Sequence, residues 1–170
     1  MTGEKVAEQW HISREAQDEF ALTSHRRALQ AIDSGEFKQE ISPYQVVEKR
    51  PDLEADKVLE QVSLKDTDEG PRADTSLEVL AKLRPVFFAK CSVTAGNSSQ
   101  MSDGAGAVVL MNEKAMQRFN LSPLARFIGF SVAGVPPEIM GVGPIKAIPK
   151  VLAQTNIKQD DIDWIELNEA

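Results

Sequence analysis

The residues able to do chemistry gather around one stretch, KCSVTAGNSSQMSDGAGAVVLM, residues 90–111. It holds the single cysteine, Cys91. A cysteine becomes a nucleophile when a base, usually histidine, or a helix N-terminus lowers its pKa. The two histidines, His11 and His25, fall on predicted helix surfaces far away in sequence, and nothing beside Cys91 matches a catalytic cysteine signature. On residues alone Cys91 reads as a structural or loop thiol. The residues after it offer other chemistry. Gly96, Gly104 and Gly106 let backbone approach a ligand, and Asn97, Ser98 and Ser99 supply hydrogen-bonding groups. Val109 stands where a G-x-G-x-x-G motif needs its third glycine. The stretch has neither a P-loop lysine nor a G-x-S-x-G elbow, so it is a turn or a ligand loop.

Two further stretches stand out. GVPPEIMGVGP, residues 134–144, fixes an irregular backbone with glycines and prolines between a predicted strand and a predicted helix. Layered α/β proteins place ligands at such crossings, where Met140 would form an adaptable apolar wall; the alternative is a rigid connector. In ELNEA, residues 166–170, Asn168 ends a predicted strand. A buried carboxamide there needs a partner, and it could orient a water or donate to a developing oxyanion. A plain turn residue is the alternative.

These stretches must be positioned by the elements around them. Residues 2–10 read as a short helix capped by Thr2, with Val6, Ala7 and Trp10 on one side. A longer helix follows, capped by Ser13, with Glu15 in its first turn and a stop at Gly35. Its narrow inner face is predicted as Phe20, Ala21, Ser24, Ala28 and Ile32. EISPYQVV reads as a strand broken by Pro43, and residues 48–67, highly charged and without a clear period, as a surface excursion. Thr75 followed by Glu78 forms a capping box before a helix limited by Pro85. Residues 105–111 and 126–133 are continuous apolar runs suited to strands buried on both faces. Asn112 caps a helix through Phe119, a helix follows Gly143 and Pro144 with its regular part from about Ala147 because of Pro149, and residues 162–168 form a last strand. Strands alternating with helices in the last 70 or so residues indicate an α/β layered fold, behind a mainly helical first lobe.

Composition narrows the function classes. The chain has 170 residues, a 42% apolar fraction and a net charge of −7, a globular balance that disfavours non-specific nucleic-acid binding. No apolar run reaches the roughly 20 residues of a membrane span. The charged N-terminus does not read as a signal peptide. One cysteine excludes an internal disulfide and implies a reducing compartment, here read as cytoplasmic. One cysteine and two well-separated histidines leave no zinc spacing, and no metal site is expected.

Taken together, VTAGNSSQMSDGAGAVVLM, GVPPEIMGVGPIKAIPKVL and the terminal NEA resemble, in order and spacing, the thiolase family. GEKVAEQWHISREAQDEFALTSHRRA and DEGPRADTSLEVLAKLRPVF do so as well, so the resemblance covers nearly the whole chain. EGPR and AGNSSQ are most similar to the degradative 3-ketoacyl-CoA thiolases. The resemblance implies an acyl-CoA C-acyltransferase that cleaves 3-ketoacyl-CoA with free coenzyme A or runs the reverse Claisen condensation. In that chemistry a cysteine thiolate takes the acyl group, a histidine activates it, and a second cysteine exchanges a proton with substrate. The implied fold is α/β, a partial five-layer α/β/α/β/α sandwich, with a mainly helical loop domain and incomplete sheet layers.

By that resemblance residues 1–100 form the loop domain that covers coenzyme A. Residues 101–120 form the closing strand and helix of the N-terminal half, and residues 121–170 the start of the C-terminal half. The family's nucleophilic cysteine would lie upstream of Met1, its GHP histidine and CxG cysteine downstream of Ala170, and Cys91 falls where the family usually carries glycine. The chain alone is therefore expected to be inactive. Arg72 resembles the arginine beside the coenzyme A nucleotide, a charge-assisted contact. Ser99 resembles the serine that bonds a pantetheine amide, Leu83 and Phe87 apolar walls around coenzyme A, and Met140 a wall near the reactive end. Asn168 resembles the asparagine that holds a water in an oxyanion hole. Val79 stands where some relatives have a coenzyme A-contacting serine. The implied ligand is coenzyme A or acyl-CoA as substrate, with no permanently bound cofactor, and the implied partner is a second copy in a homo-oligomer, dimeric or tetrameric in the parent enzyme. The alternative is a non-catalytic coenzyme A-binding module or an assembly fragment.

Overall fold

A computed structural model describes residues 1–168. The chain divides into two compact units, one of Met1–Ile12 with Ser99–Ala170 and one of Ser13–Ser98.

The Ser13–Ser98 unit is built on α2, Arg14–Ser34. Ser13 caps it as the sequence predicts, its hydroxyl accepting the Ala16 N–H at 3.1 Å. Gly35, at φ 77°, ends it in the left-handed region that glycine adopts without strain. The inner face differs from the predicted one. Asp18 and Leu22, one helical turn apart, are the buried residues of α2, whereas Phe20 is 60% exposed. A buried carboxylate is not legible in an apolar pattern; it is there because partners from elsewhere in the chain meet it.

Residues 48–67 are a hairpin rather than an irregular excursion. β1, Tyr44–Asp52, starts directly after Pro43 and pairs antiparallel with β2, Lys57–Lys65. Asp52 Oδ1 accepts the N–H groups of Glu54 and Ala55, and Asp56 takes φ 46°, closing the turn. Both strands are largely exposed, so charge sits on both faces and hides the period. The ladder is held by cross-strand pairs such as Val47 opposite Val62 and Lys49 opposite Glu60, the latter an ion pair at 2.7 Å. Further on, α3, Leu77–Ala81, is capped by Ser76, not by the predicted Thr75, with the Ser76 Oγ accepting the Val79 N–H at 3.3 Å. Leu80, 2% exposed, is the centre of this unit's apolar packing.

In the other unit α1, Thr2–Trp10, starts from Met1 with no side-chain cap, so Thr2 lies inside the helix instead of capping it. It packs against a 3₁₀ turn at Pro137–Val142. α4, Glu113–Phe119, is capped by Asn112 as predicted, its Oδ1 accepting from Ala115 N–H at 2.9 Å. α5, Gly143–Thr155, is regular from Gly143, with Pro144 in its first turn and Pro149 carried inside. The helix does not wait for Ala147: Pro144 in the first turn removes no intrahelical bond, and the helix runs on through Pro149 at the cost of the one bond that its missing N–H would give the Ile145 carbonyl.

The three predicted strands are not strands here. Residues 105–111, 126–133 and 162–168 have no regular secondary structure, and Val109, Phe127 and Trp164 are more than 70% exposed. A strand exists through its ladder, and among the described residues the one ladder is β1 with β2. Residues 126–133 are nonetheless laid along α5. Ser131 Oγ donates to the Ala147 carbonyl at 2.7 Å, Lys150 Nζ donates to the Val132 carbonyl at 3.0 Å, and Gly129 lies so close that a Cβ there would sit 2.5 Å from Thr155 Cγ2. The strand-to-helix packing of a layered fold is thus present without the sheet.

Gly96 gives a sharp test of packing. A Cβ at this position would lie 2.4 Å from Leu80 Cδ2 and 2.5 Å from Leu83 Cδ1. The variant Gly96→Ala is expected to lose about 1–3 kcal/mol, the usual cost of overpacking, read as a lowered midpoint in thermal unfolding.

Candidate functional site

The sequence-predicted site residues are distributed over the two units. Arg72, Leu83 and Phe87 belong to the Ser13–Ser98 unit, and Ser99, Met140 and Asn168 to the other.

Arg72 lies in the segment between β2 and α3. Its guanidinium grips Asp74 through two bonds, Nε to Oδ1 at 3.1 Å and Nη2 to Oδ2 at 2.8 Å. Its backbone N–H donates to His25 Nδ1 at 3.2 Å, which fastens this segment to α2. The bidentate fork leaves further guanidinium N–H groups for an anion. Hydrogen bonding from Arg72, and then its charge, lowers the Asp74 carboxyl from the ordinary aspartate value, and Asp74 in turn raises the Arg72 pKa. Both side chains are mostly solvent-exposed, 67% and 71%, so salt screens the pair.

Leu83 follows α3, its side chain against Gly96. Val86 N–H bonds the Val93 carbonyl, and Pro85 bridges to Thr94, drawing residues 85–94 into a closed loop that carries the half-exposed Phe87. Val79, by contrast, is exposed and carries no polar group for a ligand. Beyond the loop, Thr94 is fully buried. Its N–H donates to Asn97 Oδ1 at 2.7 Å, and Ser98 Oγ donates to its carbonyl at 2.5 Å. The Ser99 hydroxyl reaches only the neighbouring Gln100 carbonyl, at 3.3 Å, and is exposed. It is therefore available to an incoming amide or carbonyl.

Met140 sits on the Pro137–Val142 turn, 66% exposed. Asn168 is exposed too, so the buried carboxamide expected there is not formed. A carboxamide at a strand end is enclosed by the neighbouring strands of a sheet, and residues 162–168 carry no ladder. The rest of the NEA motif, Glu169 and Ala170, lies outside the described residues.

Cys91 is a free, half-buried thiol whose N–H bonds the Phe88 carbonyl at 3.1 Å. His25 Nδ1 is already engaged by Arg72, and His11 ends α1 in the left-handed region at φ 55°. Neither is set up as a base for Cys91. Among the described residues no cluster of three His, Cys, Asp or Glu could hold a metal, and no helix is long and apolar enough to cross a membrane. Sequence reasoning missed the polar group beneath Leu83. Asp18 lies 4% exposed between Arg14 and Asn97. Arg14 and Asp18 are spaced four apart on a helix, a readable signal for an ion pair, but not for a buried one.

Two family models match the chain: the thiolase N-terminal domain over residues 1–114 and the thiolase C-terminal domain over residues 121–170. A 3-ketoacyl-CoA thiolase of Bacillus subtilis is 46% identical over 169 residues, which span 99% of this chain and 43% of that protein. Among solved structures, the acetyl-CoA acetyltransferase of Bacillus anthracis superposes with a TM-score of 0.90 at 46% identity, over 99% of this chain and 40% of that one. Human mitochondrial 3-ketoacyl-CoA thiolase in complex with CoA superposes with a TM-score of 0.86 at 40% identity, over 100% of this chain and 39% of that one. The chain thus spans about two fifths of the length of these relatives.

The Arg72–Asp74 pair has a pH signature. A carboxylate with a lowered folded-state pKa favours the folded arrangement above its unfolded value, about 3.9 for aspartate, and loses that contribution as pH falls through the lower folded value. Carbon NMR titration of Asp74 is expected to give a midpoint below about 3.9. In Arg72→Gln the midpoint should return toward that value.

Proposed function

The chain belongs to the thiolase family, and from that premise we propose that it is the coenzyme A-cradling part of an acyl-CoA C-acyltransferase, in which acyl groups pass between 3-ketoacyl-CoA and coenzyme A. The observation that carries this reading is the similarity along the whole chain to a thiolase solved in complex with CoA, together with side chains of the matching chemistry that are free to meet ligand. Arg72 keeps guanidinium donors beside Asp74 for the phosphates of the nucleotide. Leu83 and Phe87 offer apolar walls, Ser99 an exposed hydroxyl, held only by a long bond to the Gln100 carbonyl, for a pantetheine amide, and Met140 an exposed wall near the reactive end. In this reading residues 1–100 form the covering loop domain, 101–120 close the N-terminal half and 121–170 open the C-terminal half. Asn168 holds a water for the oxyanion once enclosed by neighbouring strands.

These 170 residues on their own do not turn over substrate in this reading. The acyl transfer uses two thiols and an activating histidine, and the chain has one cysteine, with His25 committed to a backbone N–H. Coenzyme A enters as substrate, and no permanently bound cofactor is part of the proposal. The compartment proposed is the cytoplasm, on the ground of cysteine scarcity. The proposed assembly is a homo-oligomer. Residues 105–111 and 126–133 leave Val108, Val109, Leu110, Phe127 and Phe130 exposed, and unpaired apolar backbone of this kind drives association.

Three measurements bear on this. The purified chain is expected to show no thiolysis of acetoacetyl-CoA, and turnover would overturn the inactivity. Calorimetric titration should detect coenzyme A binding at millimolar ligand or below, weakened about tenfold in Arg72→Ala, the loss of one charge-assisted hydrogen bond. Absence of binding would end the reading. Light scattering is expected to show species larger than a monomer, and a monodisperse monomer would contradict the assembly.

A further inference from the structure

Two separate pieces of chain meet at one buried carboxylate. Asp18 Oδ2 accepts from Arg14 Nε at 2.7 Å, and Asp18 Oδ1 accepts from Asn97 Nδ2 at 2.9 Å. Neither donor stops there. Arg14 Nη2 continues to the Leu80 carbonyl at 2.7 Å and the Leu83 carbonyl at 3.2 Å. Asn97 continues to the Ser92 carbonyl at 3.0 Å through Nδ2, and its Oδ1 accepts the Thr94 N–H at 2.7 Å. The first arm holds Leu83 by its backbone. The second fixes the turn containing Gly96, against which the Leu83 side chain rests. Leu83 is thereby gripped from both sides, through one anion.

We propose that Asp18 is a positioning residue for coenzyme A binding, setting the apolar wall at Leu83 through Arg14 on one side and Asn97 on the other. This rests on the coenzyme A reading above. The alternative is that Asp18 only stabilises the fold, and the two roles separate because buried ion pairs are often replaceable. Exchanging such a pair for apolar residues of similar volume is commonly neutral or stabilising, whereas removing one partner leaves an uncompensated charge. Apolar residues at 14 and 18 would restore packing without restoring the donors to Leu80 and Leu83.

The test uses the full chain with coenzyme A as titrant. Asp18→Asn is expected to weaken binding about tenfold, to lower the unfolding midpoint, and to accelerate backbone hydrogen exchange across residues 83–98. The double variant Arg14→Met with Asp18→Leu is expected to unfold near the wild-type temperature while binding stays about tenfold weak and exchange across residues 83–98 stays fast. Wild-type affinity in the double variant would overturn the proposal and leave Asp18 a purely structural residue. If the wild-type chain bound no coenzyme A, the functional reading would fall by itself. The clamp would then be judged by exchange alone: faster exchange across residues 83–98 in both variants sustains it, and unchanged exchange refutes it.

Discussion

A carboxylate at 4% exposure has to be met by donors, because an unpaired buried charge is among the costliest groups in a protein. Asp18 meets that demand with Arg14 from its own helix and Asn97 from 79 residues further along. Much of the Ser13–Ser98 unit follows from it. Leu22 and Leu80 are its buried apolar residues, so the apolar core is thin. Polar closure, rather than bulk burial, joins α2 to the end of α3 and to the turn around Thr94. Among the described residues no buried side-chain nitrogen or oxygen is left without a partner. Networks of this kind stabilise a unique arrangement only when complete.

The other unit shows what happens where such closure is lacking. Residues 126–133 lie along α5, held by Ser131 and Lys150 to backbone carbonyls and by the bare Cα of Gly129. Their apolar side chains still face solvent. In a layered α/β fold such a face is covered by sheet neighbours. The helix side of the layer is formed within the chain and the sheet side is not. Residues 105–111 and 162–168 stand in the same condition. At the end of the described residues Asn168 is exposed, with no neighbouring strand to enclose it.

Some features were readable because their causes are local. Ser13, Gly35 and Asn112 bound helices through bonds to residues three or four positions away. The family resemblance was readable as well, since it rests on ordered short motifs, and it holds over both thiolase domain matches. The start of the hairpin after Pro43 was readable, but its continuation through residues 48–65 was not, because its exposed strands are paired by partners that sequence spacing does not announce. The inner face of α2 was missed for a related reason. An apolar pattern points to Phe20, but the helix turns Asp18 inward because Asn97 is there to receive it.

The sequence by itself determined the family, the helix boundaries at Ser13, Gly35 and Asn112, and the chemical types available for the proposed coenzyme A contact. These depend on residue identity and on interactions within a few positions. Only the tertiary structure decided that Arg72 is tied to His25, that Leu83 is held from two sides, and that the apolar runs of the unit containing residues 99–168 stay unpaired. Each of these depends on which distant groups meet, and a hydrogen bond or a ladder exists only when both of its halves are brought within about 3 Å.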